Sequence, residues 1–318
     1  MYSTKRGNKF ILIILLLMIV GSRAIGFIIQ KLHIPLNESS LILIPQLLFL
    51  TVPIILYFII TKASVKETLM LNRLDGINIL LTIGIGIFIQ PFMGLVNLIS
   101  QLFFENKVTD TISALASFPL WLLLLLVAVL PAINEEIITR GILLSNYKNT
   151  TIMKAALVSG LCFGMLHLNG NQFSYAFFMG IVLSFLVKIT GSIYSSMLVH
   201  FLINGLQMCL LKFSILMQDL AENYVDYDIL ANQTVTKSTI LSLIIPSLML
   251  TLVTLPLVYL FFRLAIKYNN KQELFTKATD EIPNNIQKQE KIFDGYLITS
   301  VILFIGFVFI NEILPSLL

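Results

Sequence analysis

Residues 119–144 read PLWLLLLLVAVLPAINEEIITRGILL, an apolar run long enough to cross a bilayer that nevertheless carries Asn134, Glu135, Glu136 and Arg140 in its second half. About 20 apolar residues make one helical span. An ionisable side chain inside such a span costs about 2.5 to 3.5 kcal/mol on insertion scales, so each one needs a partner or a function. At about 100° per residue, Glu136 and Arg140 are four apart and face each other as a charge pair. Glu135 points to a different side with Thr139 and has no partner in its own helix. The two adjacent carboxylates are therefore expected to have different tasks.

The rest of the chain repeats the apolar pattern. Of 318 residues 57% are hydrophobic and 12% charged, about half the roughly 25% charged residues of a soluble domain. The expected fold class is all-α, a polytopic transmembrane bundle of about eight to nine spans with an intramembrane active-site cavity. Nine runs qualify: Phe10 to Ile29, Leu41 to Ile60, Ile77 to Phe104, Pro119 to Leu144, Ile152 to Leu168, Phe173 to Ile189, Ile193 to Leu211, Ile240 to Leu264 and Tyr296 to Leu318. The first follows Lys5, Arg6 and Lys9 and reads as a retained signal-anchor. Kinks are expected at Pro45, Pro53, Pro91, Pro131, Pro246 and Pro256, because a membrane helix tolerates proline only when neighbours satisfy the freed carbonyls. A net charge of +4 without a basic patch argues against nucleic acid. Cys162 and Cys209 lie in apolar runs, and three histidines are too few for a multi-histidine di-iron oxygenase. Function must sit among the helices, with the lipid bilayer and a peptide or protein at the membrane as the expected partners. Oligomeric state is not encoded in any pattern of this kind.

Basic loops stay in the cytoplasm. With the amino terminus inside, the inner side receives Lys5, Arg6, Lys9, Lys62, Lys66, Arg73, Lys148, Lys154, Lys188, Arg263, Lys267, Lys271, Lys277, Lys288 and Lys291, fifteen in all, against Lys31, Lys107, Lys212 and Lys237 outside. The carboxyl terminus is then outside, and the cavity is expected to open toward the cytoplasm. Basic-poor outer loops and richness in Ile, Lys and Asn suggest a bacterial cytoplasmic membrane.

Two further spans carry polar groups. His167 ends the segment Phe163-Gly-Met-Leu-His167, and His200-Phe-Leu-Ile-Asn204 stacks two polar groups on one helix face. Glu135 lies thirteen residues before Lys148, His167 thirteen after Lys154 and His200 twelve after Lys188, so each lies on the order of 18 to 20 Å from a basic residue on the inner side. Three helices thus place polar groups near one level. Gly160 and Gly164 form a small-residue face for close helix packing. Taken singly, the Glu136 and Arg140 pair reads as structural, Asn204 as an interhelical hydrogen-bonding group and Phe163 as core. Taken together, Glu135, His167, His200 and Asn204 favour a functional site.

At these residues the sequence resembles the CPBP family of CAAX proteases and bacteriocin-processing enzymes, also called the Abi or type II CAAX prenyl endopeptidase family. The family pattern is Glu-Glu-x-x-x-Arg, Phe-x-x-x-His and His-x-x-x-Asn or Asp, and here it falls on Glu135-Glu136 with Arg140, on Phe163 with His167, and on His200 with Asn204. The resemblance implies an intramembrane peptidase in which Glu135 activates water with His167, His200 and Asn204 stabilise the oxyanion, and Glu136, Arg140 and Phe163 orient the site. It divides the chain into N-terminal transmembrane helices (1–117), catalytic core helices (118–211) and a C-terminal loop and helices (212–318). No cofactor is required by a glutamate-activated water. Zinc is the alternative, because Glu135, His167 and His200 could supply a two-histidine, one-carboxylate set. A transporter with a Glu/His proton or ion relay and a non-catalytic membrane scaffold are the competing functions. The substrate, whether a membrane-associated, prenylated or secreted peptide, is not legible from the motifs.

Overall fold

A computed structural model of the chain describes residues 2–106, 115, 117–222, 237–276 and 291–317, all in helices and connecting turns. Lys107, Lys277 and Lys288, used above to weigh the loops, lie outside the described residues. Among the described residues, eight helices are long and apolar enough to cross a membrane: α1 (Thr4–Lys31), α2 (Ser39–Thr61), α3 (Gly76–Ser100), α4 (Leu120–Asn146), α6 (Gly170–Thr190), α7 (Ile193–Met217), α8 (Lys237–Tyr268) and α9 (Gly295–Ile313). Between α4 and α6 lies α5 (Ile152–Met165), whose 14 residues rise only about 21 Å, less than the roughly 30 Å hydrocarbon core. The expected span to Leu168 stops early because Leu168 adopts φ 49° and turns the chain into α6. The fold is that of an integral membrane protein.

Polar contacts between helix ends fix the directions. At one end, the Ser3 amide donates to Asn146, the Lys148 ammonium lies over the Tyr2 ring, Asn8 donates to Asp294, Asn72 donates to the Gly191 carbonyl, and Asn78 pairs with Asn269. This end gathers the lysine-rich loops. At the other end, Asn171 donates to Ser100 and to the Asn97 carbonyl, and Asn169 donates to Glu312. Asn8 with Asp294 and Arg23 with Asn311 show that α1 and α9 run in the same direction. The first helix is part of the core: Ile11, Ile14 and Leu15 are fully buried in one cluster with Leu143, Leu144 and Leu297.

The α5–α6 hairpin is the closest helix pairing near the site, and glycine permits it. A Cβ on Gly160 would meet the Phe177 carbonyl at 2.7 Å, and one on Gly180 would meet the Gly160 Cα at 2.5 Å. Any side chain there forces α5 and α6 apart.

Proline and π-helical turns shape the remaining spans. Following Pro45, residues Gln46–Thr51 are π-helical; α4 is π-helical over Leu124–Val129, α-helical over Leu130–Glu136, and π-helical again over Ile137–Leu143. In α9 the π-helical turn is Phe309–Ile313. Such turns often mark functional sites, because a widened turn redirects side chains and releases carbonyls.

Candidate active site

The first determinant of the site is Pro131. It has no N–H, so the carbonyls one turn earlier lose a partner: Val127 in α-helical register and Leu126 in π-helical register. Two carboxamides from other helices replace it. Gln46 of α2 donates to the Leu126 carbonyl and Asn204 of α7 donates to the Val127 carbonyl, each at 3.0 Å. The proline in α4 thereby recruits Asn204 to the turn just before Asn134-Glu135-Glu136.

Downstream of that turn the charged groups are packed together. Arg140 Nη1 lies 2.9 Å from Glu136 Oε1, and both side chains are fully buried. Nη1 also donates to Thr139, whose own hydroxyl donates to the Glu135 carbonyl. The guanidinium carbon sits 4.3 Å from the centre of the Phe163 ring, a cation–π contact that partly compensates for lost hydration. Phe163 is almost wholly buried and meets both histidine rings edge-on, at 5.2 Å for His167 and 5.6 Å for His200. It separates the two imidazoles and braces Arg140.

Glu135 and Glu136 have different surroundings, as expected, and His200 lies between them. Nδ1–H of that ring donates to Glu136 Oε1 at 3.0 Å, and Nε2 lies 3.9 Å from Glu135 Oε2. One imidazole thus spans both carboxylates. A ring lying across the helix reaches two adjacent side chains with its two nitrogens. The carboxylates still differ in environment: Glu136 is sealed, whereas 18% of the Glu135 side chain is exposed to a cavity.

His167 sits at the end of α5. Its Nδ1 is 3.0 Å from the Phe163 carbonyl. A carbonyl only accepts, so Nδ1 carries the hydrogen and Nε2 of the neutral ring is an acceptor. The turn that follows is held twice: Asn169 caps α6 by accepting from Gln172 N, and Glu312 of α9 accepts from Asn169 Nδ2 at 2.8 Å and Gly170 N at 3.1 Å. Glu312 thus reaches from the last span to the turn that carries His167.

Glu135, Phe163, His167, His200 and Asn204 all line one cavity of about 550 Å³, within the usual range for a ligand site. Gln46, Gln172, Tyr175, Gln207, Asn311 and Glu312 line it too. Insertion cost alone would have marked Asn311-Glu312, a carboxylate in the last span that the sequence analysis passed over. Gln46 and Gln207 carry no such signal. Among the described residues no three His, Cys, Asp or Glu side chains come together as a metal-ligand set. Glu135, His167 and His200 are not grouped as such a set, and His200 Nδ1 is engaged by Glu136.

Most of the cavity lining lies toward the lysine-poor ends of the helices. Its lining in α4 runs from Leu126 to Glu135, in α6 from Gln172 to Met179 and in α9 from Phe307 to Glu312, mostly in the half away from the lysine-rich end, while in α7 it spans the middle of the helix, from His200 to Gln207. The fully buried Ile142, Leu143 and Leu144 and the hydrogen bonds among Asn8, Tyr147, Asn146 and Tyr57 occupy the lysine-rich half of the core.

Three motifs on three helices converging on one cavity invite comparison with known families. Residues 117–206 match the family model of Rce1-like type II CAAX prenyl endopeptidases. The matched segment contains α4, α5, α6 and the first half of α7, hence every residue of the three motifs. With the membrane-length helices around it, the match supports an intramembrane endopeptidase of the CAAX type. Glu312 and Gln46, which hold the His167 turn and the Leu126 carbonyl, come from outside the matched segment. A comparison with curated proteins finds no match, and neither does one with solved structures.

Proposed function

We propose that the protein is an intramembrane endopeptidase that hydrolyses a peptide bond with a water activated by Glu135. The observation that carries the reading is the convergence of Glu135, His167, His200 and Asn204, from three segments of the chain, on one cavity.

The hydrogen-bond pattern supports a division of roles. A water donating one hydrogen to the Glu135 carboxylate and the other to His167 Nε2 has its lone pair aimed at a substrate carbonyl. Glu135 takes the proton as the water oxygen bonds to the carbonyl carbon, and the carbonyl oxygen becomes an oxyanion. Asn204 has a second amide hydrogen beyond the one given to Val127, and a protonated His200, held at Nδ1 by Glu136, presents Nε2–H. Both are suited to the oxyanion. Glu135 then returns its proton to the leaving nitrogen, the C–N bond breaks, and one water has been consumed to give a carboxylic acid and an amine. Glu136 and Arg140 are positioning groups that hold His200 in place, and Phe163 spaces the two rings.

The test compares peptides in membranes of cells carrying the wild-type chain and Glu135→Ala by mass spectrometry. An uncut precursor should accumulate with Glu135→Ala and with His167→Ala, at protein abundance near wild type. Unchanged cleavage by purified Glu135→Ala sinks the mechanism.

A further inference from the structure

A second cavity, of about 740 Å³, lies at the lysine-rich end of the bundle and shares no lining residue with the one that holds Glu135. It sits where α1 and α9 begin side by side, walled by Ser3, Thr4 and Lys5 at the start of one helix and by Lys291, Asp294 and Gly295 at the start of the other. The two walls are tied together by the Thr4 hydroxyl, which donates to the Lys291 carbonyl at 3.2 Å. Lys5 is the second residue of the first span and Gly295 the first residue of the last. The cavity therefore lies at the level of the lipid headgroups.

Its charges are set to receive an anion. Among the described residues neither lysine ammonium has an ion-pair partner, and Lys5 Nζ lies 6.0 Å from the centre of the Tyr296 ring, which also lines the cavity. The carboxylate in this wall is committed elsewhere: Asp294 Oδ1 accepts from Asn8 Nδ2 and from the Leu297 amide, and Oδ2 is buried. Ser3 accepts from the Arg6 amide and keeps its hydroxyl hydrogen to donate.

Below the charged rim the walls become apolar. Leu12 lines the cavity in α1 and is followed one turn on by Leu16, which is 41% exposed; Thr299 lines it in α9 and is followed by Ile302, which is 63% exposed. Residues three or four apart share a helix face, and α1 and α9 run in the same direction, so the two apolar faces continue side by side from the cavity into the membrane. A soluble phosphate would use the rim alone, whereas a phospholipid uses rim and faces together.

We propose that this cavity binds an anionic phospholipid, with Lys5 and Lys291 on the phosphate and an acyl chain along Leu12, Leu16 and Ile302. Basic pockets between membrane helices take anionic headgroups in this way. The bound lipid ties the start of α9 to α1 and so steadies the helix that carries Glu312 at its far end. The site does not depend on the peptidase reading.

For the test, the full chain is purified in detergent and titrated with phosphatidylglycerol or with phosphatidylcholine of the same acyl chains, and bound lipid is counted by native mass spectrometry. One phosphatidylglycerol should bind at concentrations where phosphatidylcholine does not. Lys5→Gln and Lys291→Gln should each weaken it about fivefold, while Lys66→Gln, which removes an exposed charge outside the cavity, leaves it unchanged. Gly295→Glu places a carboxylate in the cavity: a Cβ there meets nothing within 4 Å, and a negative charge in the first turn of a helix is favoured by its free N–H groups. That variant should keep a melting temperature near wild type and lose the preference for phosphatidylglycerol. Equal binding of the two lipids, equal weakening by Lys66→Gln, or an unchanged preference in Gly295→Glu overturns the site. Displacement of phosphatidylglycerol by an equal concentration of glycerophosphate also overturns it, since that result assigns the cavity to a small soluble anion.

Discussion

Asn204 donates to the carbonyl of Val127, the group that Pro131 leaves without its helical partner. The residue whose motif position suggests an oxyanion donor is thus also the group that satisfies a carbonyl freed by proline. These two jobs use different hydrogens of the same amide, so the kink holds Asn204 in a fixed orientation for the second.

Separating the two jobs gives a direct prediction. Asn204→Ala removes both and should slow turnover about 10² to 10³ fold, with a stability loss of about 1 to 3 kcal/mol from the orphaned carbonyl. Gln46→Leu uncaps only Leu126 and should lose comparable stability with a far smaller effect on turnover. Parallel thermal unfolding in detergent and cleavage assays of the two variants check this. Equal loss of turnover in both would mean that Asn204 acts only through the kink.

Glu136→Ala should behave as a folding defect. It strands Arg140 as a fully buried charge, an event costing about 3 to 5 kcal/mol, and frees His200 at Nδ1. Low abundance or a sharply lowered melting temperature is expected, with Arg140→Ala similar and the double variant less damaged than the sum of the two. An additive double-mutant cycle would show that the 2.9 Å pair contributes nothing.

Gly180→Ala tests the α5–α6 contact. Its Cβ would lie 2.5 Å from the Gly160 Cα, whereas a Cβ on Gly94 meets nothing within 4 Å. Overpacking at Gly180 should destabilise by about 1 to 3 kcal/mol and lower cleavage by displacing His167. Gly94→Ala is the matched control, and equal melting temperatures for the two variants would contradict the packing.

Glu312→Gln removes the charge while keeping an oxygen that accepts one of the two hydrogen bonds from Asn169 and Gly170. The turn after His167 should loosen, lowering kcat more than it changes KM, and Asn169→Ala combined with Glu312→Gln should add little to either alone. Additive losses, or a change confined to KM, would show that Glu312 does not act through the turn.

What the sequence determined by itself is local. The spans were legible because each is a continuous apolar run, the charge pair because Glu136 and Arg140 are one turn apart, and the candidate site because ionisable groups in a bilayer demand a reason. Even the shared level of Glu135, His167 and His200 followed from helical rise alone. The tertiary structure decided everything that depends on which helices become neighbours. Only contact between α4 and α7 lets one imidazole bridge two adjacent carboxylates and one carboxamide serve a proline-freed carbonyl. Only the return of α9 to the α5–α6 turn brings Glu312 within hydrogen-bond reach of Asn169, 143 residues away in sequence. The level at which the cavity sits was decided by packing for the same reason. Loop charges report how the chain is threaded through the membrane, whereas a cavity exists wherever packing fails to fill the space between helices, and here aliphatic side chains fill the lysine-rich half and leave the other half open.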